Sequence, residues 1–199
     1  MKKSVKLIST VLVFAMLVSL CSCGKRESGR IKGSERSKTG NGVNDEIQGV
    51  FDLLTGAMGK DLDTVKARIK AYFGCELEEN YYGNEDGYDE YIFDADTLID
   101  RVAFNQVQIL VNSKGIVYHV GFVNNLMSVP ELQKCYRQLI DRFTVLLISP
   151  SAQFPYTEGY ETEYTEFSGG NGNLISTGIY YSADYNCLWL DCHNLDLNK

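Results

Sequence analysis

The stretch FNQVQILVNSKGIVYHVGFV, Phe104 to Val123, decides the fold. Val107, Ile109 and Val111 alternate with Gln106, Gln108 and Leu110, the period-two signature of a strand buried on one face. Asn112-Ser113-Lys114-Gly115 supplies a turn. Ile116 to Val123 then alternates again, with Val120 and Phe122 on the apolar side and His119 on the other. An antiparallel hairpin with one apolar face needs a second layer to bury it.

Helices that could form this layer lie on both flanks. Upstream, Ile47, Val50, Phe51 and Leu54 recur at helical spacing until Gly56 to Gly59 breaks the pattern. Asp61 is placed to cap a second helix, which carries Leu62, Val65, Ile69, Tyr72 and Phe73 on one side and Lys66, Arg68 and Lys70 on the other; Gly74 closes it. A polar loop through Tyr81, Tyr82, Gly83 and Asn84 leads to a strand at Tyr88 to Phe93. Downstream, Ser128 and Glu131 form a capping box. Val129, Leu132, Tyr136, Leu139, Ile140, Phe143 and Leu147 form a helical stripe that Pro150 ends. Strands are expected near Tyr160 to Phe167, Leu174 to Ser182 and Asn186 to Cys192, the first two parted by Gly169-Gly170-Asn171-Gly172.

The second half repeats the order of the first. A shift of seventy places Ile109 on Ile179, Val111 on Tyr181, Val120 on Leu190 and Asn124 on Asn194. The fold class expected is α+β: tandem helix-plus-three-strand units, about 57–125 and 126–199, forming one antiparallel sheet with helices on one face. Tyr91, Phe93, Val107, Ile109, Val111, Val120, Phe122, Ile179, Leu188 and Leu190 then face the helices. The opposite face presents Glu90, Gln106, Gln108, His119, Glu161, Glu163, Tyr180 and Trp189. Tyr and Trp amid hydrogen-bonding groups suit protein recognition, with Trp189 as the natural anchor. The competing reading is a solvated sheet face steadied by cross-strand aromatic pairs. The element order from about residue 57 to 195 resembles the β-lactamase-inhibitory-protein architecture and related small bacterial envelope lipoproteins. That resemblance implies two units sharing one curved sheet with helices on one side. An NTF2-like cone is the alternative for the same order.

The start of the chain carries an address. Lys2, Lys3 and Lys6 form a basic n-region, and Leu7 to Leu20 a run of about fourteen mostly apolar residues, too short to span a bilayer. Leu20-Cys21-Ser22-Cys23 resembles the lipobox of bacterial lipoproteins. It implies cleavage after Ser22, removing a signal peptide 1–22, and diacylglycerol on the Cys23 thiol. Residues 23–44 read as a flexible tether and 45–199 as a single domain. Formal net charge is −7; losing the three signal lysines takes it to −10. Six basic and two acidic residues between Cys23 and Lys38 make the tether +4 and leave −14 on the remainder. A basic tether is drawn to anionic head groups by about 1 kcal/mol per residue. An acidic body without a basic stripe is a poor match for nucleic acid.

Chemistry is marked mainly by absence. The sequence has no Gly-rich phosphate loop, no G-x-S-x-G elbow and no H-E-x-x-H helix. His193 adjoins Cys192, but neighbours on a strand point to opposite faces, so no thiol–imidazole dyad forms. His119 reads as an ordinary strand imidazole. Glu76, Glu78, Glu79, Glu85, Asp86, Asp89, Glu90, Asp94, Asp96 and Asp100 are dense, yet they lack EF-hand spacing and read as a solvated loop. No metal or other cofactor is expected. Cys75, Cys135, Cys187 and Cys192 permit two disulfides in an exported chain, or serve as small buried hydrophobes. The expectation is a non-catalytic lipoprotein, anchored on the extracytoplasmic face of the cell membrane through Cys23, that binds an envelope or secreted protein by its open sheet face. A small-ligand carrier with a cavity between sheet and helices, and an envelope-acting enzyme, are the alternatives.

Overall fold

The computed structural model describes residues 42–85, 87–156, 161–182 and 184–198. The signal segment, Cys23, nearly all of the tether, Asp86 and the expected strand start at Tyr160 lie outside the described residues. Helix α1 (Gly42–Ala57) begins within the last residues assigned to the tether. Helix α2 (Leu62–Phe73) follows its expected caps: the Asp61 carboxylate accepts from the Thr64 amide, and Gly74 closes the helix at φ 66°. Helix α3 (Val129–Leu147) starts on the Ser128–Glu131 capping box, where Glu131 Oε2 accepts from the Ser128 amide at 3.1 Å and from its hydroxyl at 2.6 Å. None of these helices is long and apolar enough to cross a membrane.

The strands are β1 (Glu78–Glu85), β2 (Tyr88–Ile99), β3 (Val102–Asn112), β4 (Val117–Asn124), β5 (Ala152–Phe154), β6 (Thr162–Gly170), β7 (Asn173–Tyr181) and β8 (Asn186–His193). They form one antiparallel sheet in the order β1-β2-β3-β4-β8-β7-β6-β5. Each half of the chain therefore supplies four strands rather than the three expected. The two extra strands are the sheet's edges. β1, read from sequence as a polar loop, carries acidic residues and a register shift between Glu79 and Tyr81, and β5 is three residues long. Charge, bulges and shortness are what keep an edge strand from recruiting another chain, and they also erase its apolar period.

Two hairpins use the same tight turn with very different residues. Asn171-Gly172 joins β6 to β7 with φ 52° and 79°, and Asp100-Arg101 joins β2 to β3 with φ 45° and 68°. Both central residues need positive φ in this turn, which Asn-Gly accepts readily and Asp-Arg does not. Tertiary contacts hold the second turn. The Asp100 carboxylate takes a 2.7 Å ion pair from Arg142 Nε of α3, and the Asp100 amide donates to Glu46 Oε1 of α1 at 2.9 Å.

All ten sheet residues expected to face the helices do so: nine are buried in the core, and Tyr91 packs partly buried against it. They meet Val50, Leu54, Val65, Ile69, Leu132, Leu139 and Phe143 from the three helices. Aromatic edges knit the layers: the Phe73 ring lies 5.2 Å from Phe122, and Phe143 5.8 Å from Phe167. The four described cysteines are free thiols. Cys192 sits in the core, and burial pushes the Cys187 thiol up to about 12, so neither is poised as a nucleophile. The acidic stretch departs from the solvated loop expected of it. Glu90 is 1% exposed in β2 and Asp100 4% exposed in its turn.

Candidate functional site

Pairing register lays out the sheet face away from the helices as rows across the strands. One row runs Ile92, Gln108, Gly121, Asp191, Ser176, Glu166. The next runs Glu90, Leu110, His119, His193, Leu174. A third runs Asp94, Gln106, Val123, Trp189, Gly178, Tyr164. Glu90, Gln106, Gln108, His119 and Trp189 thus share the face as expected, and Tyr180 joins it beside Cys187. Glu163 does not. It pairs with the core residue Ile179 and so lies on the helix side, because β6 runs one residue out of the phase assumed from sequence. Glu161 precedes β6 and is exposed, and it accepts the Tyr180 hydroxyl at 2.5 Å.

The middle of this face is buried rather than solvated: Glu90, Gln106, Gln108, His119 and Trp189 are each 7% exposed or less. Side-chain hydrogen bonds link part of this centre. Gln108 donates to Glu90, and Asn125 Nδ2 approaches Gln106 Oε1 at 3.4 Å. Trp189 does not project as an anchor. Its ring packs over Gly178, where an added Cβ would stand 2.3 Å from Trp189 Cζ2 and 2.6 Å from Tyr164 Cβ. Its indole N–H donates to Ser176 Oγ at 3.3 Å, and Ser176 donates to Asp191 Oδ1 at 2.7 Å. The rings that remain half-exposed surround this centre: Tyr81, Tyr88, Tyr164 and Tyr180, with exposed Phe154 stacked 4.3 Å from Tyr164.

Asp191 sits between two histidines. His119 on β4 and His193 on β8 are direct cross-strand partners, and Asp191 lies two residues before His193 on the same face. His193 Nδ1 is 3.8 Å from Asp191 Oδ1, a charge contact rather than a hydrogen bond. Burial holds the His119 imidazole down to about 4, against a smaller opposing pull from Asp191. Burial also works against charging His193, but the Asp191 carboxylate and then Glu166 outweigh it and raise its pKa. Burial alone would raise Asp191, yet the two histidines and the Ser176 hydroxyl carry it below the usual carboxylate value. Burial raises Glu166. Sequence reading missed Asp191, Ser176, Glu166 and Tyr164 as members of this centre. The alternation of β8 already put Asp191 on the same face as Trp189 and His193, but only the β4–β8 pairing brings them to His119.

No protein-family model, curated protein or solved structure gives a significant match to this chain.

Proposed function

We propose that this protein is a lipid-anchored extracytoplasmic lipoprotein, without catalytic activity, that binds an envelope or secreted protein through the helix-free face of its sheet. The address rests on the basic n-region, the short apolar run and the lipobox-like sequence ending at Cys23. One observation carries the binding role. The described helices pack on one face, and the other presents half-exposed tyrosines around a buried polar centre, a mixture common in recognition surfaces. The groove along the outer side of α3, lined by Pro130, Lys134, Arg137 and Asp141, is no cavity between sheet and helices. That interlayer is occupied by Leu54, Ile69, Phe93, Phe104, Phe122 and Phe143, which argues against a ligand carrier there.

Within this reading the domain is a tandem repeat of two units, revised to four strands each. Its support is internal symmetry: α2 and α3 are each followed by four consecutive strands, and β1-β2-β3-β4 meets β8-β7-β6-β5 across the β4–β8 pair. The first hairpin's Gln108↔Gly121 has its counterpart in Gly178↔Trp189, so Val120 corresponds to Leu188 and not to Leu190. This is the element order that resembles the β-lactamase-inhibitory-protein architecture. A photo-reactive residue at Tyr164 or Tyr180, introduced into the full chain in its own cells, should give a discrete protein adduct. One at Val145, exposed on α3, should not. The same adducts from both sides, or none from the sheet face, would refute the reading.

A further inference from the structure

We infer that His119, Asp191 and His193 form a binding site for a divalent transition-metal ion, with zinc the ion best suited to it. Each residue offers one ligand atom, and these atoms lie within 4.8 Å of one another. Ligands held at 2.0–2.2 Å around a tetrahedral ion stand about 3.4 Å apart, so closure asks for about 1 Å of side-chain rotation without moving the strands. The backbone is already suited to it. The ligands come from two directly paired central strands, β4 and β8, which hold their spacing more firmly than loops would.

Space has been left at the same point. Gly121 is the cross-strand partner of Asp191, and a Cβ there would lie 3.1 Å from His119 Nε2 and 3.4 Å from Asp191 Cβ. A side chain in that place would crowd the imidazole away from the carboxylate. The outer layer is also built. Ser176 holds Asp191 Oδ1 at 2.7 Å and is itself held by the Trp189 indole at 3.3 Å, which fixes the carboxylate as outer-shell partners fix metal ligands.

Charge and donor type agree. Two neutral imidazoles and a carboxylate, without thiolate, suit zinc and neighbouring first-row ions rather than calcium or magnesium. Glu166 lies in the same cross-strand row as Asp191, separated from it by Ser176, so a second carboxylate shares the face on which the cation would sit. Three protein ligands leave at least one position for water or for a group from a docking partner. The ligands all come from this chain, so the metal site does not require the proposed protein partner. It could hold a metal whether or not a partner docks around it.

The test uses the full chain, purified in detergent without a histidine tag and stripped with EDTA. Zinc sulfate should raise its melting temperature saturably at one equivalent, and cobalt(II) should give the intense visible bands of low-coordinate nitrogen and oxygen ligation. His193→Gln and Asp191→Asn should abolish both signals, and Ser176→Ala should weaken zinc binding about tenfold while keeping the cobalt bands. Circular dichroism checks that each variant is folded, and His193→Gln, the least buried change, serves if Asp191→Asn is not. A folded wild-type chain that shows neither signal overturns the site. So does metal binding that survives His193→Gln at full strength, which would place the ion elsewhere.

Discussion

Replacing Gly178 by alanine tests how this face is packed, and the only tryptophan in the chain reports the result. The new methyl carbon would stand 2.3 Å from Trp189 Cζ2, 2.6 Å from Tyr164 Cβ and 2.7 Å from the Glu163 carbonyl oxygen. Two of these obstacles are backbone or the root of a side chain, so the indole must move. Overpacking of this kind costs about 1–3 kcal/mol, against which alanine recovers at most about 1 kcal/mol of chain entropy in a strand. Three contacts this short put the cost at the upper end of that range, so a net loss of about 2 kcal/mol is expected. In a domain of this size that lowers the melting temperature by about 4–8 °C. The displaced indole also loses its 3.3 Å bond to Ser176, so its emission should shift to the red in the native state, before any unfolding. Trp189→Ala in the same background removes one of the three clashes, and the double mutant should lose less than the sum of the two single changes. A Gly178→Ala protein with unchanged emission and a melting temperature within 2 °C of wild type would show that the indole does not lie across Gly178.

In metal-stripped protein the two histidines should titrate on opposite sides of their ordinary value, with His119 near 4 and His193 above 6.5. Imidazole NMR shifts that move together near pH 6.5 would refute this. For His119 the unfolded chain binds more protons between about pH 6.5 and 4, so falling pH costs up to about 3 kcal/mol through that window. The His193 contribution has the opposite sign, being complete below 6.5 and fading as pH rises through its raised pKa. Asp100→Ala removes the partner of Arg142 and leaves alanine at φ 45°, which should cost about 2 kcal/mol in a urea titration; a loss below 0.5 kcal/mol would mean the turn needs no tertiary support. Cys23→Ala should release the protein into the medium or periplasm, and continued membrane association would sink the lipid anchor.

The apolar face of the sheet was legible on β2, β3, β4, β7 and β8 because nothing competes with burial there: the ten residues from Tyr91 to Leu190 read by period two do face the helices. The edges were not, since the charges and bulge that protect β1 remove that period. The Asp100-Arg101 turn was hidden for another reason. Its geometry is set by Arg142 and Glu46, residues more than forty positions away, and not by the local chemistry that makes Asn171-Gly172 plain. The phase of β6 is not legible either, since its alternation does not show that Glu163 pairs with Ile179 on the helix side and Glu166 with Ser176 on the open face. The His119–Asp191–His193 grouping depends on β4 meeting β8, a strand order that no local signal encodes.

The buried centre and the aromatic surround of this face are one mechanical unit. Tyr164 packs beside Trp189, Trp189 bonds Ser176, and Ser176 bonds Asp191, so the chain of contacts runs from a half-exposed ring to the carboxylate between the histidines. Trp189 packs over Gly178 beside Tyr164, so a partner that displaces Tyr164 removes one side of the indole's seat and loosens the hydroxyl that orients Asp191. Asp191 is cross-strand partner to Gly121 on β4, where the two halves of the sheet meet. The proposed docking at the aromatic surround and the proposed ion binding at the centre would thereby be coupled through three side chains, and each should alter the affinity for the other by the same factor.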